Sequence, residues 1–183
     1  MDAPTAQPGS PPLQTHAENR ATVLRLPRPV YDALRAHGER TYPEECCGAL
    51  LGRVMHGGGP EGWRIESAVP AANATAGSAR SRYQIDPAEL VRILRGARGQ
   101  GLEIAGFYHS HPDHPAQWSA TDLAEAHWLG CSYVITQVTH GKAALTRSFR
   151  LAGTTEEEKR FEPESIQILD ASIAASGESF RNY

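Results

Sequence analysis

Residues 109–122 read HSHPDHPAQWSATD, which gathers three His, two Asp and two Ser into fourteen positions. If His109 and His111 end a β-strand, they face the same side of it, because residues two apart project together. Asp122 follows His111 after ten intervening residues, in the first turn of a helix that begins at Ser119. A loop containing Pro112 and Pro115 can bring that helix start back to the strand end. Two imidazoles and one carboxylate then converge and leave a fourth position for water, the arrangement of a catalytic rather than a structural zinc site. Zinc lowers the pKa of its water from about 15.7 to roughly 7, which provides a nucleophile near neutral pH. Such a reaction also needs a general base and a donor for the developing oxyanion. Ser119 has a hydroxyl for the second role, and the base must come from elsewhere in the chain. The same residues have a plainer reading. Ser119-x-x-Asp122 is also a capping box, and a His-x-His at a strand end is often mere surface. The coincidence of both with a glycine-preceded apolar strand favours the metal.

The elements that must position these residues are legible as alternating strands and helices. TVLRL, Thr22 to Leu26, predicts a first strand. Val30 to about Tyr42 predicts a helix with Val30, Leu34 and His37 or Gly38 along one side, ended by Pro43. CCGALLGRV, Cys46 to Val54, is an apolar strand. Gly57-Gly58-Gly59-Pro60 is a turn, Trp63 to Val69 a strand, residues 70–80 a loop and Arg82 to Ile85 a short strand. Asp86-Pro87-Ala88-Glu89 combines a capping Asp, a first-position Pro and a capping-box Glu, so a helix should run from there to about Ala97. Glu103 to His109 is the strand that enters the His-rich stretch. The helix from Ser119 should reach about Leu129. Tyr133 to Thr139 and Ala143 to Leu151 form a strand pair joined by His140-Gly141-Lys142. The pattern implies a mixed sheet covered by helices. Residues 1–20, rich in Pro, Ser, Ala and Gln, are expected to form a disordered leader. Residues 21–165 form one folded domain, and 166–183 are a tail that can be helix, edge strand or loose.

Bulk properties bound the function classes. The 183 residues suffice for one domain with a full core. A net charge of −3 and a pI near 6.2 give no reason to expect nucleic acid. No apolar h-region or membrane-length apolar run is visible, so no membrane is expected. Cys46, Cys47 and Cys131 form no C-x-x-C pair and no disulfide framework, which suits a reducing, cytoplasmic setting.

HSHPDHPAQWSATD resembles the H-x-H-x(7)-S-x-x-D signature of the JAMM (MPN+) metalloproteases, with every spacing matched. EECCGALLG resembles that family's E-x-x-G strand start, here Glu45-Cys46-Cys47-Gly48. GFYHSHPDHP followed by SYVITQV looks particularly like the small bacterial members, and the likeness spans roughly residues 22–164. The resemblance implies an α/β fold of cytidine-deaminase-like type, a curved mixed sheet with helices on both sides. It implies one zinc per chain held by His109, His111 and Asp122, with Glu45 as general base and Ser119 stabilising the tetrahedral intermediate. It also implies hydrolysis of a peptide or isopeptide bond after the C-terminal Gly-Gly of a ubiquitin-like protein. Glu45, rather than Glu44, has the family spacing to Gly48.

Only about ten residues separate Asp122 from the strand at Tyr133, which leaves no room for the long insertion of the ubiquitin-chain-specific relatives. The similarity to small bacterial members therefore favours release of an amino acid or short peptide from a sulfur-carrier protein. A Gly-Gly tail can thread a narrow groove where side chains would clash. Removal of a ubiquitin-like modifier from target lysines is the rival reading. A non-catalytic MPN scaffold is the alternative of another class, opposed by the complete residue set. The H-x-E and P-C-x-x-C pattern of nucleoside deaminases is absent.

Other residues near the motif have competing readings. Trp118 packs on the helix start or lines the groove. Asp113 supports a ligand imidazole or simply shapes a turn. His114 is expected at the surface and His127 in a structural role. Cys46 or Cys47 can enter the site or serve as small buried apolar residues. Asn73, Ser78, Arg80 and Tyr83 contact a substrate tail or merely connect. The run Glu156-Glu157-Glu158 reads as a solvated face. Residues 165–183 can cover the groove or pair with another subunit, which keeps a homodimer open.

Overall fold

Alternating burial turns the sequence pattern into a sheet. The computed structural model describes residues 22–55, 62–75 and 82–170. The expected leader, the turn at 57–60, Ser78 and Arg80 lie outside the described residues, as does the chain beyond 170. Strand β1 (Val23–Pro27) buries Leu24 and Leu26 on one face. Helix α1 (Arg28–Thr41) follows at once, with Pro29 in its first turn, where a missing N–H costs nothing. Strands β2 (Cys47–Met55) and β3 (Gly62–Ala71) pair antiparallel. Helix α2 (Pro87–Gly99) starts at the predicted cap, where Asp86 accepts from the Ala88 and Glu89 amides, but the Glu89 carboxylate closes no capping box and instead accepts from the Ala72 amide and Arg92. Strand β4 (Glu103–Pro112), short helix α3 (Ala120–Glu125), and strands β5 (Ser132–Thr139), β6 (Lys142–Ala152) and β7 (Arg160–Leu169) complete the fold.

The sheet is mixed and runs β1-β3-β2-β4-β5-β6-β7. β7 then pairs in parallel with β1, so the curved sheet closes on itself. The segment left open as helix, edge strand or loose tail is therefore a strand up to Leu169, and its closure onto β1 has no local signal in the sequence. The β5–β6 turn is His140-Gly141 alone, both at positive φ (48° and 77°), as a two-residue hairpin requires.

The central strands feed two cores. Along β2, Cys47, Ala49 and Leu51 face one and Cys46 and Leu50 the other; in β4 and β5, Phe107, Tyr133 and Ile135 oppose Tyr108 and Val134. Helix α1 packs inside the curve through Leu34, while Ile93 and Ala97 of α2 cover the opposite face. Helices on both sides of a curved mixed sheet are what the sequence implies. Among the described residues no helix is long and apolar enough to cross a membrane.

Two elements differ from expectation. Arg82 to Ile85 is not a strand but a loop touching Asn73 through a single bridge at Ile85, because Asn73 uses its side chain to bind the Arg82 carbonyl and the Gln84 amide. Helix α3 stops at Glu125 rather than Leu129. Ala126 turns into the core, the Trp128 amide bonds the Tyr133 hydroxyl, and Gly130 takes a φ of 80°.

The β4–β5 contact leaves no space at Gly106, where a Cβ would lie 2.0 Å from the Ser132 carbonyl oxygen. Gly106→Ala should therefore force the parallel pair apart and cost at least about 2 kcal/mol. Urea unfolding checks this; a stability within about 0.5 kcal/mol of the parent would contradict the described packing.

Candidate active site

Strand β4 carries His109 and His111 into the interior. They are 2% and 9% exposed, and they share a face because they are two residues apart. Ser110 points the other way, where its hydroxyl accepts from the Cys46 amide at 2.9 Å; its own amide donates to the Cys46 carbonyl. The residue between the two His thus ties β4 to the chain immediately after Glu45. Asn73 donates to the Glu45 carbonyl at 3.3 Å from the opposite side. Glu45 is buried, 5% exposed, and Glu44 is exposed, which agrees with the choice of Glu45 from spacing.

Asp122 arrives through α3. The Ser119 amide donates to Asp122 Oδ2 at 2.6 Å, and the Asp122 amide donates to Ser119 Oγ at 3.1 Å. The capping box is therefore real, and it serves to aim the carboxylate rather than to compete with a metal site. Asp122 Oδ1 lies 3.3 Å from His109 Nε2, Oδ2 lies 3.6 Å from His111 Nε2, and the two Nε2 atoms are 3.0 Å apart. Among the described residues His109, His111 and Asp122 form a group whose ligand atoms all lie within 4.8 Å of one another.

The donor set fits zinc. Pro115 O accepts from His111 Nδ1 at 2.9 Å, which fixes the proton there and leaves the Nε2 lone pair facing the cluster. Burial pushes the His109 pKa down and so keeps that ring neutral, as a ligand must be, although Asp122 pulls the other way. Burial also works against the charged form of His111, but hydrogen bonding to Asp122 prevails and raises its pKa. Burial would raise Asp122; the two imidazoles that face it and the Ser119 amide overcome this and hold the carboxyl well below its ordinary range. A largely buried carboxylate facing two imidazole Nε2 atoms is a group that could hold a cation.

Glu45, His111, His114, Trp118, Ser119 and Asp122 share one cleft of about 320 Å³. Burial drives the Glu45 carboxyl from 4.5 up to about 7; His111 opposes this, while Asp122 and Glu125 add to it. Ser119 is exposed on the cleft wall. Its oxygen accepts from the Asp122 amide, which leaves its O–H free to donate.

The structure separates the remaining candidates. Asp113 shapes a turn instead of supporting a ligand: it accepts from Tyr42 Oη at 2.8 Å and from the His140 amide at 2.9 Å. Cys46 and Cys47 are buried as apolar residues, with thiols pushed up by burial to about 11 and about 12, and the Cys47 thiol bonds the Ala71 carbonyl. His127 is exposed and pairs with Glu156, and His114 is exposed. Trp118 lines the cleft and packs 5.7 Å from Phe161 of β7 rather than on the helix start. Tyr83 has a role that sequence reasoning missed: its ring stacks on His109 at 4.5 Å and 25°. The alternation of residues 82–85 suggests a strand and says nothing of a contact with a ring 26 residues away.

The chain matches the family described as prokaryotic homologs of the JAB domain over residues 27–152. It is 38% identical over 93 residues to a desampylase of Haloferax volcanii, covering 51% of this chain and 62% of that protein. It is 34% identical over 106 residues to a probable TtuB-protein conjugate cleaving protease of Thermus thermophilus, covering 58% and 65%. The matched segments thus span less than two thirds of these two relatives. Against the CysO-cysteine peptidase of Mycobacterium tuberculosis it is 30% identical over 138 residues, 74% of this chain and 88% of that one. A solution structure from Desulfitobacterium hafniense superposes with a TM-score of 0.64 at 26% identity, covering 80% of this chain and 93% of its own. One from Salinibacter ruber gives 0.57 at 35%, covering 78% and 91%.

The Glu45 environment makes a stability prediction for the metal-free protein. The folded carboxyl titrates near 7 against 4.5 when exposed, so between those values the folded chain holds a proton that the unfolded chain has released. Stability therefore falls as pH rises through this window. Glu45→Gln does not ionise, so after chelation it should exceed the parent by on the order of 2–3 kcal/mol at about pH 8 and converge with it below about pH 5. Urea unfolding at both pH values checks this; equal stabilities at the higher pH would exclude a buried carboxylate at residue 45.

Proposed function

The chain belongs to the prokaryotic homologs of the JAB domain, and from that premise we propose that it is a zinc-dependent peptidase cutting after the C-terminal Gly-Gly of a ubiquitin-like protein. The observation that carries this reading is the convergence of His109, His111 and Asp122 beside a buried Glu45 in one cleft. His109 and His111 through Nε2, and Asp122 through its carboxylate, would hold the zinc, which when bound supplies Lewis acidity and a water of lowered pKa.

The chain's own residues supply the rest. Glu45, titrating near neutrality, takes a proton from the attacking water and returns it to the departing nitrogen. The Ser119 hydroxyl, free to donate, stabilises negative charge on the scissile carbonyl oxygen. Pro115, through its carbonyl, and Tyr83, through its ring, keep the two imidazoles in position.

The substrate is a sulfur-carrier protein whose Gly-Gly end bears an amino acid or short peptide. The 88% coverage of the CysO-cysteine peptidase supports this. A second reading, cleavage of isopeptide-linked conjugates, draws support from the desampylase and the conjugate-cleaving protease. A reducing cytoplasmic setting suits three buried cysteines that are free thiols.

Elemental analysis of protein purified without chelator should find about one zinc per chain, lost in His109→Ala. Glu45→Gln should keep the zinc and lose at least about 100-fold in turnover of a Gly-Gly-linked carrier substrate. Zinc bound as tightly to His109→Ala as to the parent sinks the ligand assignment. Normal turnover by Glu45→Gln sinks the base assignment.

A further inference from the structure

The catalytic cleft opens into a second hollow. Gln117 and Trp118 line both, and the second, of about 480 Å³, is walled by Phe149, Phe161 and Pro163 and carries Arg147. Trp118 packs 5.7 Å from Phe161, and Phe161 packs 6.1 Å from Phe149, so the wall is a continuous aromatic surface leading away from the candidate metal ligands.

Sheet register fixes where Arg147 stands. His109 is opposite Ile135 in the β4–β5 pair, and Ile135 is opposite Arg147 in the β5–β6 pair. Residues in one such row project from the same face, so Arg147 shares the face of His109. It stands two strand spacings away, about 10 Å between backbones. Ser148 and Glu164 also line this hollow, but both are buried and bonded to each other at 2.6 Å. Arg147 is exposed, and it donates to the neutral amide oxygen Gln117 Oε1 at 3.3 Å. It joins none of the ion pairs among the described residues, whereas Arg82 and Arg160 each hold a carboxylate.

A guanidinium that joins no ion pair among the described residues and is bonded to Gln117, where the two hollows share their lining, is complementary to a carboxylate on the substrate. An amino acid or short peptide leaving a Gly-Gly tail carries such a group, only a few bonds from the nitrogen being released. A lysine side chain leaving an isopeptide carries no free carboxylate at that distance. We propose that Arg147 is a specificity residue that receives the C-terminal carboxylate of the released amino acid or short peptide, and so favours linear over isopeptide substrates. This rests on the proposed peptidase function.

The test uses the full, zinc-loaded chain and one carrier protein ending in Gly-Gly linked to a short peptide. The peptide is prepared once with a free carboxylate and once as the C-terminal amide. The parent enzyme should cleave the acid with about tenfold higher kcat/KM than the amide, a ratio expected for one charge-assisted pair, through a lower KM at similar kcat. In Arg147→Gln the KM for the acid should rise until acid and amide are cleaved equally well, and Arg147→Lys should keep part of the preference. A parent enzyme that treats acid and amide alike overturns the assignment while leaving the peptidase function standing. So does an Arg147→Gln variant that loses both substrates equally, which would place Arg147 against the carrier protein itself. Cleavage of neither substrate by the parent removes the function and this role together.

Discussion

Strand β4 is the constraint on which the site depends. Every residue from Ile104 to Pro112 is buried, with β2 antiparallel on one edge and β5 parallel on the other. A strand paired on both edges and covered on both faces has little freedom to shift, and a one-residue slip would exchange the inward and outward sets. His109 and His111 therefore inherit their direction from the whole sheet. Ser110 uses the intervening outward position to hold the chain beside Glu45. Glu45 and the imidazoles are thus set relative to each other by the Ser110–Cys46 hydrogen bonds between neighbouring chain segments.

Helix α3 contributes one side chain and its length reflects that. Six residues suffice to present Asp122, because the reciprocal Ser119–Asp122 bonds settle the orientation in the first turn. The cost of burying an ionised carboxylate is offset by the two imidazoles it faces. The same low-polarity setting has opposite effects on the two acids. Asp122, with hydrogen-bond donors around it, stays ionised; Glu45, without them, titrates near neutrality. Two carboxyl groups in one cleft thereby differ in charge near neutral pH, as the proposed ligand and base roles require.

How much of this was visible beforehand depends on how local each signal is. The His-x-His spacing, the Ser-x-x-Asp cap and the capping Asp86 all act over a few residues, and all three appear in the fold as read. The segment 82–85 looked like a strand because Tyr83 and Ile85 alternate with polar residues. Asn73 captures its backbone groups instead, and a side chain nine or more residues away leaves no periodic trace. Helix α3 looked longer because residues 126–129 have no breaker until Gly130. The core took Ala126 and Trp128 out of the helical path.

The sequence by itself determined which residues are candidates for the chemistry, since residue types and their spacing are properties of the chain: His109, His111, Ser119 and Asp122 could be named from one stretch, and Glu45 from a second. Only the tertiary structure decided what surrounds them. The Tyr83 ring on His109, the Pro115 carbonyl on His111, the aromatic wall from Trp118 to Phe149 and the row joining His109 to Arg147 all connect residues far apart in the chain or across strands. Such contacts are set by strand register and by closure of the sheet through β1 and β7, which are collective outcomes of packing that no local pattern encodes.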